Sequence, residues 1–299
     1  MKIGFIGLGR MGLNMTTRLL RGGHRVAAYD RDPAAVAEAV SRGARAANSL
    51  EELAGSVAAP RALWTMIPAG AAVDDTIRAL VPLLTRGDLI VDGGNSNYRD
   101  SRRRAQQLAD LGMLFVDAGV SGGVWGLEVG YCMMLGGAPA AIDRLKPALD
   151  TLAPPEGWRH VGPSGAGHFV KMVHNGIEYG LMESYAEGFE LLRSFDQPLD
   201  LAGIAHLWNQ GSVVRSWLLE LAERALDADP DLQGIRGWVE DSGEGRWTVA
   251  EAIERAVPAE ALALALFNRF RSRQEDSFRD RLLAALRHEF GGHAVRKES

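Results

Sequence analysis

The chain has 299 residues, of which 46% are hydrophobic and 24% are charged. At roughly 150 residues per domain this length predicts about two domains, and the composition excludes intrinsic disorder and collagen-like repeats. A formal net charge of −5 argues against a nucleic-acid or membrane-surface partner, although it leaves room for a small anionic ligand. The single cysteine, Cys132, excludes an intramolecular disulfide and a zinc site built from cysteines.

The longest uncharged stretches, such as 129–142, are too short and too rich in glycine to span a bilayer. The N-terminus enters an apolar strand directly, without the shape of a signal peptide. We therefore expect a cytoplasmic protein that does not enter a membrane.

The first half of the chain alternates short apolar runs with stretches of helical spacing. Strands are predicted at 2–6, 25–29, 63–66, 89–91, 114–116 and 131–135, and the first helix at 11–21. Such alternation indicates βαβ units and a mostly parallel sheet. A Gly-Pro-Ser-Gly stretch at 162–165 marks the predicted junction, which gives domains 1–163 and 164–299.

Helical patterns fill the second half and predict an all-α domain. The segment 168–192 contains no proline and is largely apolar, so we expect one long helix there. Further helices are predicted at 201–208, 213–226, 248–256 and 259–288, the last either continuous or broken.

A Gly-x-Gly-x-x-Gly fingerprint stands between the first strand and the first helix. It consists of Gly7, Leu8, Gly9, Arg10, Met11 and Gly12. In this setting the glycines permit a tight turn, a close approach of the backbone to a pyrophosphate, and close packing of helix on strand. The positive end of the helix dipole then faces the phosphates. A plain glycine-rich turn is the alternative, and the flanking strand and helix favour a dinucleotide site in a Rossmann-type domain.

The choice of dinucleotide depends on the end of the second strand. Asp30 stands there, and an acidic side chain at this point binds the ribose hydroxyls and repels a 2′-phosphate, which favours NAD over NADP. The adjacent Arg31 leaves NADP open, because an arginine here pairs with that phosphate if it is not simply a solvated surface charge. We also assign Met66 and Asn95 to the cofactor site.

The predicted long helix carries a polar stripe. Lys171, His174, Asn175 and Glu178 follow the i, i+3, i+4, i+7 spacing that places side chains on one helical face, and their neighbours are mostly apolar. We expect this helix to be buried, with its polar face toward a cleft or a partner, because unpaired buried charge is costly. A desolvated lysine acts as a base and a protonated carboxyl as an acid, although an internal Lys–Glu ion pair is the alternative.

Two glycine-rich segments, 91–96 and 117–123, each follow the end of a predicted strand. Ligands of open α/β sheets bind at the carboxyl ends of the strands, so both segments are expected to border the cleft. Ordinary turn chemistry is the alternative for each segment taken alone.

Together these residues resemble the 6-phosphogluconate dehydrogenases of the β-hydroxyacid dehydrogenase superfamily. The matching segments are 7–12, 92–100, 119–123, 171–180, 245–248 and 287–293, in the family order and across nearly the whole chain. The resemblance implies oxidative decarboxylation of 6-phosphogluconate to ribulose 5-phosphate and CO2 without a metal. It implies that Lys171 is the general base and that Glu178 protonates the enediol left after CO2 departs.

The resemblance also assigns the substrate-binding residues. Asn95, Ser121, Gly122, Gly123, His174 and Asn175 hold the sugar acid; Tyr179 and Arg269 match phosphate-binding positions; Arg287 and His293 match a tail that reaches the neighbouring subunit's site. Basic residues are usually exposed, so an ordinary surface charge is the alternative for Arg269, Arg287 and His293.

The chain is too short to contain the duplicated helical region of the long members and is similar to the short class, which is often NAD-dependent. Ser242 stands where the long class has a phosphate-binding lysine. A single helical half leaves an apolar face to cover, so we expect a homodimer or homotetramer. Two other functions stay open: a dehydrogenase for a small acid such as 3-hydroxyisobutyrate, and an NAD-binding module without catalysis.

Overall fold

A computed structural model describes residues 1–296 of the chain. Residue contacts divide the chain into two units, Met1–His174 and Asn175–Ser299. The last three positions of the predicted domain 164–299 lie outside the described residues.

One eight-stranded sheet organises the first unit. Its strands are β1 (Lys2–Ile6), β2 (Arg25–Tyr29), β3 (Arg45–Ala46), β4 (Ala62–Thr65), β5 (Leu89–Asp92), β6 (Leu114–Ser121), β7 (Cys132–Gly137) and β8 (Trp158–Gly162). Their order across the sheet is β3-β2-β1-β4-β5-β6-β7-β8. Every neighbouring pair is parallel except β6 and β7, so the predicted mostly parallel α/β fold is confirmed.

Helices cover both faces of this sheet. They are α1 (Arg10–Arg21), α2 (Pro33–Ser41), α3 (Leu50–Ser56), α4 (Ala71–Leu80), α5 (Tyr98–Asp110), α6 (Gly126–Val129), α7 (Pro139–Leu152) and the first turns of α8 (Ala166–Arg193). One apolar cluster includes Met15 of α1 and Leu145 of α7, and a second includes Leu53 of α3 and Ile77 of α4. Burial on both faces is the reason why the strands read as apolar runs rather than as alternating patterns.

The second unit is helical, as predicted. It contains the remainder of α8, then α9 (Leu201–Asn209), α10 (Trp217–Ala228), α11 (Glu244–Glu254), α12 (Glu260–Arg271) and α13 (Phe278–Gly291). Its buried core is small, with Tyr179, Ala265 and Leu266 at the centre. The predicted helix 259–288 is two helices, because the segment 272–277 interrupts it and Ser277 caps α13 by accepting from the Asp280 N–H.

The observed sheet differs from the predicted strands at three places. β3 has only two residues, and β8 has no fully buried side chain, so neither produces an apolar run. β6 continues to Ser121, which makes the segment 117–121 part of a strand rather than a loop. Pairing with the antiparallel β7 along this stretch provides the hydrogen bonds that keep the glycine-containing segment extended.

None of the helices formed by residues 1–296 combines the length and apolarity that crossing a membrane requires.

Candidate functional site

The glycine-rich turn joins β1 to α1 and adopts the geometry that the fingerprint predicts. Gly7 has φ of +92°, and a Cβ there would lie 2.4 Å from the carbonyl oxygen of Met66. A Cβ on Gly12 would lie 2.0 Å from the carbonyl oxygen of Gly7, whereas one on Gly9 would meet no atom within 4 Å. The turn is therefore tight at Gly7 and Gly12 and open at Gly9, at the N-terminus of α1, which fits the close approach of a pyrophosphate.

Asp30 directly follows β2 and contacts this turn. The Leu8 N–H donates to Asp30 Oδ2 at 2.6 Å, and the Asp32 N–H donates to Asp30 Oδ1 at 2.8 Å. Each carboxylate oxygen retains a further lone pair for a ligand hydroxyl. Asp30 thus fixes the glycine-rich turn, a role that the sequence analysis did not predict. The neighbouring Arg31 is exposed.

Asn95 lies in the turn between β5 and α5, and buried polar groups hold that turn. Asp92, the last residue of β5, accepts from the Gly94 N–H at 3.2 Å and from Ser96 Oγ at 2.7 Å. Arg104 of α5 donates to Asp92 Oδ2 at 3.1 Å. Asp92 is fully buried, so the turn that carries Asn95 is anchored by an ion pair out of contact with water.

Arg104 extends this anchor to a second segment. Its side chain is 1% exposed, its Nε donates to Asp74 Oδ1 at 2.8 Å, and its Nη2 donates to the carbonyl oxygen of Gly70 at 3.1 Å. Gly70 immediately precedes α4, which follows β4. One guanidinium therefore connects the segments after β4 and β5, a role that the run of three arginines at 102–104 does not reveal in sequence.

Asp117, in the middle of β6, holds the start of α8. Its Oδ1 accepts from the Gly165 N–H at 2.6 Å, and its Oδ2 accepts from the His168 N–H at 2.9 Å. Burial raises the pKa of the Asp117 carboxyl, although His168 and these N–H groups oppose the rise. The first turn of α8 is thus capped by a carboxylate that belongs to the sheet.

Lys171 packs directly against β6. A Cβ on Gly119 would lie 2.4 Å from Lys171 Cβ and 2.8 Å from the Gly167 carbonyl oxygen. A Cβ on Gly167 would lie 2.4 Å from the Asp117 carbonyl oxygen. These two glycines therefore allow α8 to approach the sheet closely, and Lys171 is left only 7% exposed.

The polar stripe of α8 is more buried than parts of the apolar surface around it. Lys171 and Asn175 are buried, and His174 and Glu178 are partly buried. Ile177 is 51% exposed, however, and Leu181 is also exposed. The expectation that the helix is buried is thus wrong in part for a single chain, because Ile177 and Leu181 are exposed.

The remaining predicted residues of the first unit lie near strand ends. Met66 directly follows β4, and Ser121 is the last residue of β6. Gly122 and Gly123 come next, with positive φ values of +132° and +52° that glycine adopts without strain.

Tyr179 and Arg269 are brought together in the second unit. The Arg269 guanidinium lies 3.4 Å from the centre of the Tyr179 ring, and its Nη1 donates to the carbonyl oxygen of Glu240 at 2.9 Å. The Ser242 N–H donates to the Tyr179 hydroxyl at 3.2 Å. Arg287 and His293 are exposed, and within residues 1–296 neither forms a hydrogen bond or ion pair with Tyr179 or Arg269.

A carboxylate beside this pair has a strongly lowered pKa. Arg246 donates to Asp241 at 2.6 Å and Arg273 donates to it at 2.6 Å, and these bonds lower the pKa of Asp241 from 3.8 to about 2 against the opposing effect of burial. The ionised form of Asp241 therefore stabilises the folded second unit.

We expect the Asp241→Asn variant to lose about 2 kcal/mol of unfolding free energy at pH 7. Because the folded pKa lies below the unfolded one, this contribution is complete above about pH 4 and is lost as pH falls toward 2. Urea unfolding at several pH values measures it, with the exposed Asp231→Asn as the control. Equal stability of Asp241→Asn and the parent chain at pH 7 would contradict the assignment.

The described residues 1–296 contain no group of three or more His, Cys, Asp or Glu side chains placed to hold a metal ion.

Two models of known protein families match this chain. The family model of the NAD-binding domain of 6-phosphogluconate dehydrogenase matches residues 2–162, and that of the 6-phosphogluconate dehydrogenase C-terminal domain matches residues 167–297. The chain belongs to the 6-phosphogluconate dehydrogenase family. Its first unit accordingly contains a pyridine-nucleotide-binding domain, and the resemblance seen in the sequence is confirmed.

The 6-phosphogluconate dehydrogenase family includes relatives of about the same length as this chain and relatives that are much longer. The chain is 45% identical to an NAD(+)-dependent, decarboxylating 6-phosphogluconate dehydrogenase from Haloferax volcanii, over 100% of this chain and 99% of the relative. It is 39% identical to the Drosophila melanogaster decarboxylating enzyme, over 92% of this chain and 60% of the relative. A solved Plasmodium falciparum 6-phosphogluconate dehydrogenase matches with a TM-score of 0.86 and 29% identity, over 100% of this chain and 66% of that chain. That protein was studied with NADP+ and with 6-phosphogluconate.

Proposed function

We propose that this chain oxidises and decarboxylates 6-phospho-D-gluconate to D-ribulose 5-phosphate and CO2, with NAD as the oxidant. The observation that carries the proposal is the placement of Lys171, buried against Gly119 of β6 and followed two turns later on the same helix by Glu178. A simple hydroxyacid dehydrogenase needs only a base. A reaction that loses CO2 and then protonates a carbon also needs an acid, and Glu178 provides it.

Lys171 is the general base in this proposal. Its amine would accept the proton of the substrate hydroxyl, and NAD, when bound, would supply the oxidant for the carbon that carries this hydroxyl. When the resulting β-keto acid loses CO2, Lys171 returns its proton to the carbonyl oxygen and an enediol forms. Glu178 then protonates the first carbon of the enediol and Lys171 accepts the enol proton, which yields the ketone product.

The residues after β1, β2 and β4 fit the dinucleotide. The open backbone at Gly9 and the free N-terminus of α1 suit its pyrophosphate, and Asp30 suits the ribose hydroxyls. The predicted cofactor-binding residues are Gly7, Leu8, Gly9, Arg10, Met11, Gly12, Asp30, Arg31, Met66 and Asn95.

Hydrogen-bonding groups hold the sugar acid in this proposal. Asn95, Ser121, Gly122, Gly123, His174 and Asn175 bind its carboxylate and hydroxyls, and Tyr179 with Arg269 binds its phosphate. The exposed Arg287 and His293 serve the site of a neighbouring copy.

We expect Asp30→Ala to narrow the preference for NAD over NADP by about tenfold or more, because the variant no longer binds the ribose hydroxyls or repels a 2′-phosphate. Steady-state kcat/KM with each cofactor measures the ratio. Loss of the hydrogen bond from the Leu8 N–H also loosens the glycine-rich turn. We therefore expect kcat/KM to fall with both cofactors, and to fall further with NAD than with NADP. If the ratio stays constant, another residue reads the ribose.

A second copy of the chain is proposed to cover the apolar surface of the second unit. Large exposed apolar side chains there include Leu191, Val213, Ile253, Phe278 and Phe290. A second copy packed against these side chains would remove them from water. Light scattering at micromolar concentration should give the mass of a dimer or tetramer, and a mass of 32.3 kDa would overturn this expectation.

The proposed activity is tested by mixing the purified protein with 6-phosphogluconate and following the absorbance of reduced nicotinamide, with NAD and NADP separately. Turnover with release of CO2, mainly with NAD, is the expected result. Turnover mainly with NADP would mean that Arg31, rather than Asp30, determines which dinucleotide binds. Absence of turnover with both would overturn the proposed substrate and direct the test to small hydroxyacids.

A further inference from the structure

His168, in the first turn of α8, has a buried imidazole that the proposed reaction does not use. The residue is 2% exposed, and its Nδ1 lies 2.7 Å from Oγ of the fully buried Ser101 on α5. Its Nε2 is also buried, and no group among residues 1–296 forms a hydrogen bond with it. An apolar pair of the same shape would avoid the cost of this unbonded nitrogen. The bond between His168 and Ser101 therefore calls for a role beyond packing.

The hydrogen bonds around the imidazole favour the tautomer that carries its proton on Nδ1. In this form the Nδ1–H group of His168 donates to Ser101 Oγ, and the Ser101 hydroxyl donates to the carbonyl oxygen of Asn97 at 3.3 Å. The other tautomer would leave an Nε2–H donor buried without an acceptor. We therefore assign the imidazole as a donor to α5.

Ser101, His168 and Asp117 do not form a nucleophilic triad, although the three residue types are those of one. The Asp117 carboxylate accepts from the backbone N–H of His168 at 2.9 Å rather than from its ring, which a triad requires. Ser101 is fully buried, so its hydroxyl does not face a substrate. The three residues instead connect β6, the start of α8, and α5.

The start of α8 lies against the start of α5, which directly follows the turn that carries Asn95. A Cβ on Gly165 would lie 3.0 Å from the Tyr98 carbonyl oxygen. The Phe169 ring packs edge-on against the Tyr98 ring, with 5.1 Å between the ring centres. The bond between imidazole and hydroxyl adds a directional contact to this packing, so it fixes where the first turn of α8 lies along α5.

We propose that His168 is a positioning residue that sets where Lys171 lies relative to the turn that carries Asn95. The inference rests on the proposed function, in which Lys171 accepts a proton from a substrate that this turn helps to hold. Lys171 is three residues after His168, so the two side chains are neighbours on α8. Asp117 holds this part of the helix to β6, and the bond to Ser101 fixes it against α5. A displacement of a reacting group by about 1 Å lowers a rate by up to about 100-fold.

Two substitutions of His168 separate a positioning role from a packing role. Asparagine places an amide N–H near the position of Nδ1 and keeps a donor to Ser101, whereas leucine fills the space without a donor. We expect His168→Leu to lower kcat by about tenfold to 100-fold, and His168→Asn to recover most of the parent kcat. Calorimetric titration should give an unchanged dissociation constant for NAD in both variants. Ser101→Ala should lower kcat as His168→Leu does, and the double variant should lose no more than either single variant, because all three remove the same bond.

His24→Leu is the matched control. His24 is also buried, and its Nε2 lies 2.8 Å from Thr151 Oγ1, so this change breaks a bond of the same kind. His24 directly precedes β2, at the end of that strand opposite to Asp30. The control should therefore keep kcat within about twofold of the parent value, whatever its effect on stability.

The inference is overturned if His168→Leu keeps kcat within about twofold of the parent value, or if His168→Asn is no more active than His168→Leu. If His168→Leu does not fold, Ser101→Ala is judged by the same kcat, with Thr151→Ala as its control.

A parent chain that does not oxidise 6-phosphogluconate contradicts the proposed function without deciding the role of His168. The rate at which acetic anhydride modifies Lys171, measured by mass spectrometry of peptides, then decides it. This rate should change by about threefold or more in His168→Leu and return to the parent rate in His168→Asn, because the surroundings of the amine depend on where the helix lies. Equal rates in the three proteins would overturn the inference.

Discussion

Replacing Lys171 with methionine should lower kcat by about 10³-fold or more while the protein still binds NAD. Methionine matches the length and apolar character of the lysine stem, so it fills the same space against Gly119 without a group that accepts a proton. The absorbance of reduced nicotinamide measures turnover, and calorimetric titration measures NAD binding. Loss of the first with retention of the second identifies a residue that acts in the chemistry rather than in the cofactor site.

The control is Lys146→Met, which removes an exposed lysine on α7 that pairs with Asp150. It should retain the parent kcat, because surface pairs of this kind contribute little. Near-normal turnover of Lys171→Met would show that the base is another group. Glu178→Gln distinguishes the second proposed role, since it should still permit oxidation but release less of the correct product than the parent.

Replacing Arg104 with methionine should destabilise the first unit by about 3–5 kcal/mol, the cost of removing one partner from a buried ion pair. The variant leaves the fully buried carboxyl group of Asp92 without its guanidinium partner, and it removes the donors that hold Asp74 and the Gly70 carbonyl. The midpoint of urea unfolding, with its slope, measures the change.

Arg103→Met is a matched control, because Arg103 also pairs with Asp74 but is 44% exposed. It should cost less than about 1 kcal/mol. Similar losses of unfolding free energy in Arg103→Met and Arg104→Met would contradict this assignment. They would mean that pairing with Asp74 alone, rather than the buried contacts of Arg104, accounts for the stability. Where Arg104→Met remains folded, KM should rise more than kcat falls, since the turn with Asn95 loses its anchor.

The elements that sequence analysis located best are those with a strong local pattern. The β1–α1–β2 segment combines a buried strand, three glycines and an acidic residue at a fixed spacing. Each of these features follows from the conformation or the ligand contacts of the residues close to it in sequence. The polar stripe of α8 was visible for the same reason, because four residues share a helical period. Family resemblance then supplied a reaction for residues that the pattern alone had only grouped.

The elements that were missed depend on contacts between distant parts of the chain. β8 is an edge strand without a fully buried side chain, and β6 continues past Val116 because β7 pairs with it. The anchors of Asp92 and Asp117 join residues 12 to 51 positions apart, so no window of sequence contains both partners in a recognisable period. Glu244, the first residue of α11, likewise has the sequence pattern of an ordinary acidic residue at the start of a helix, although it is only 2% exposed.

The carboxylate of Asp117 has a consequence for how α8 opens. A helix end usually frays readily, since its first four N–H groups have no partner within the helix. Here two of the donors at that end are bonded to a side chain of β6, a strand that is paired on both edges. Fraying of the first turn of α8 therefore has to break two hydrogen bonds to the sheet as well as those within the helix. Lys171, one turn further on, is thereby held more firmly than a residue near an uncapped helix terminus.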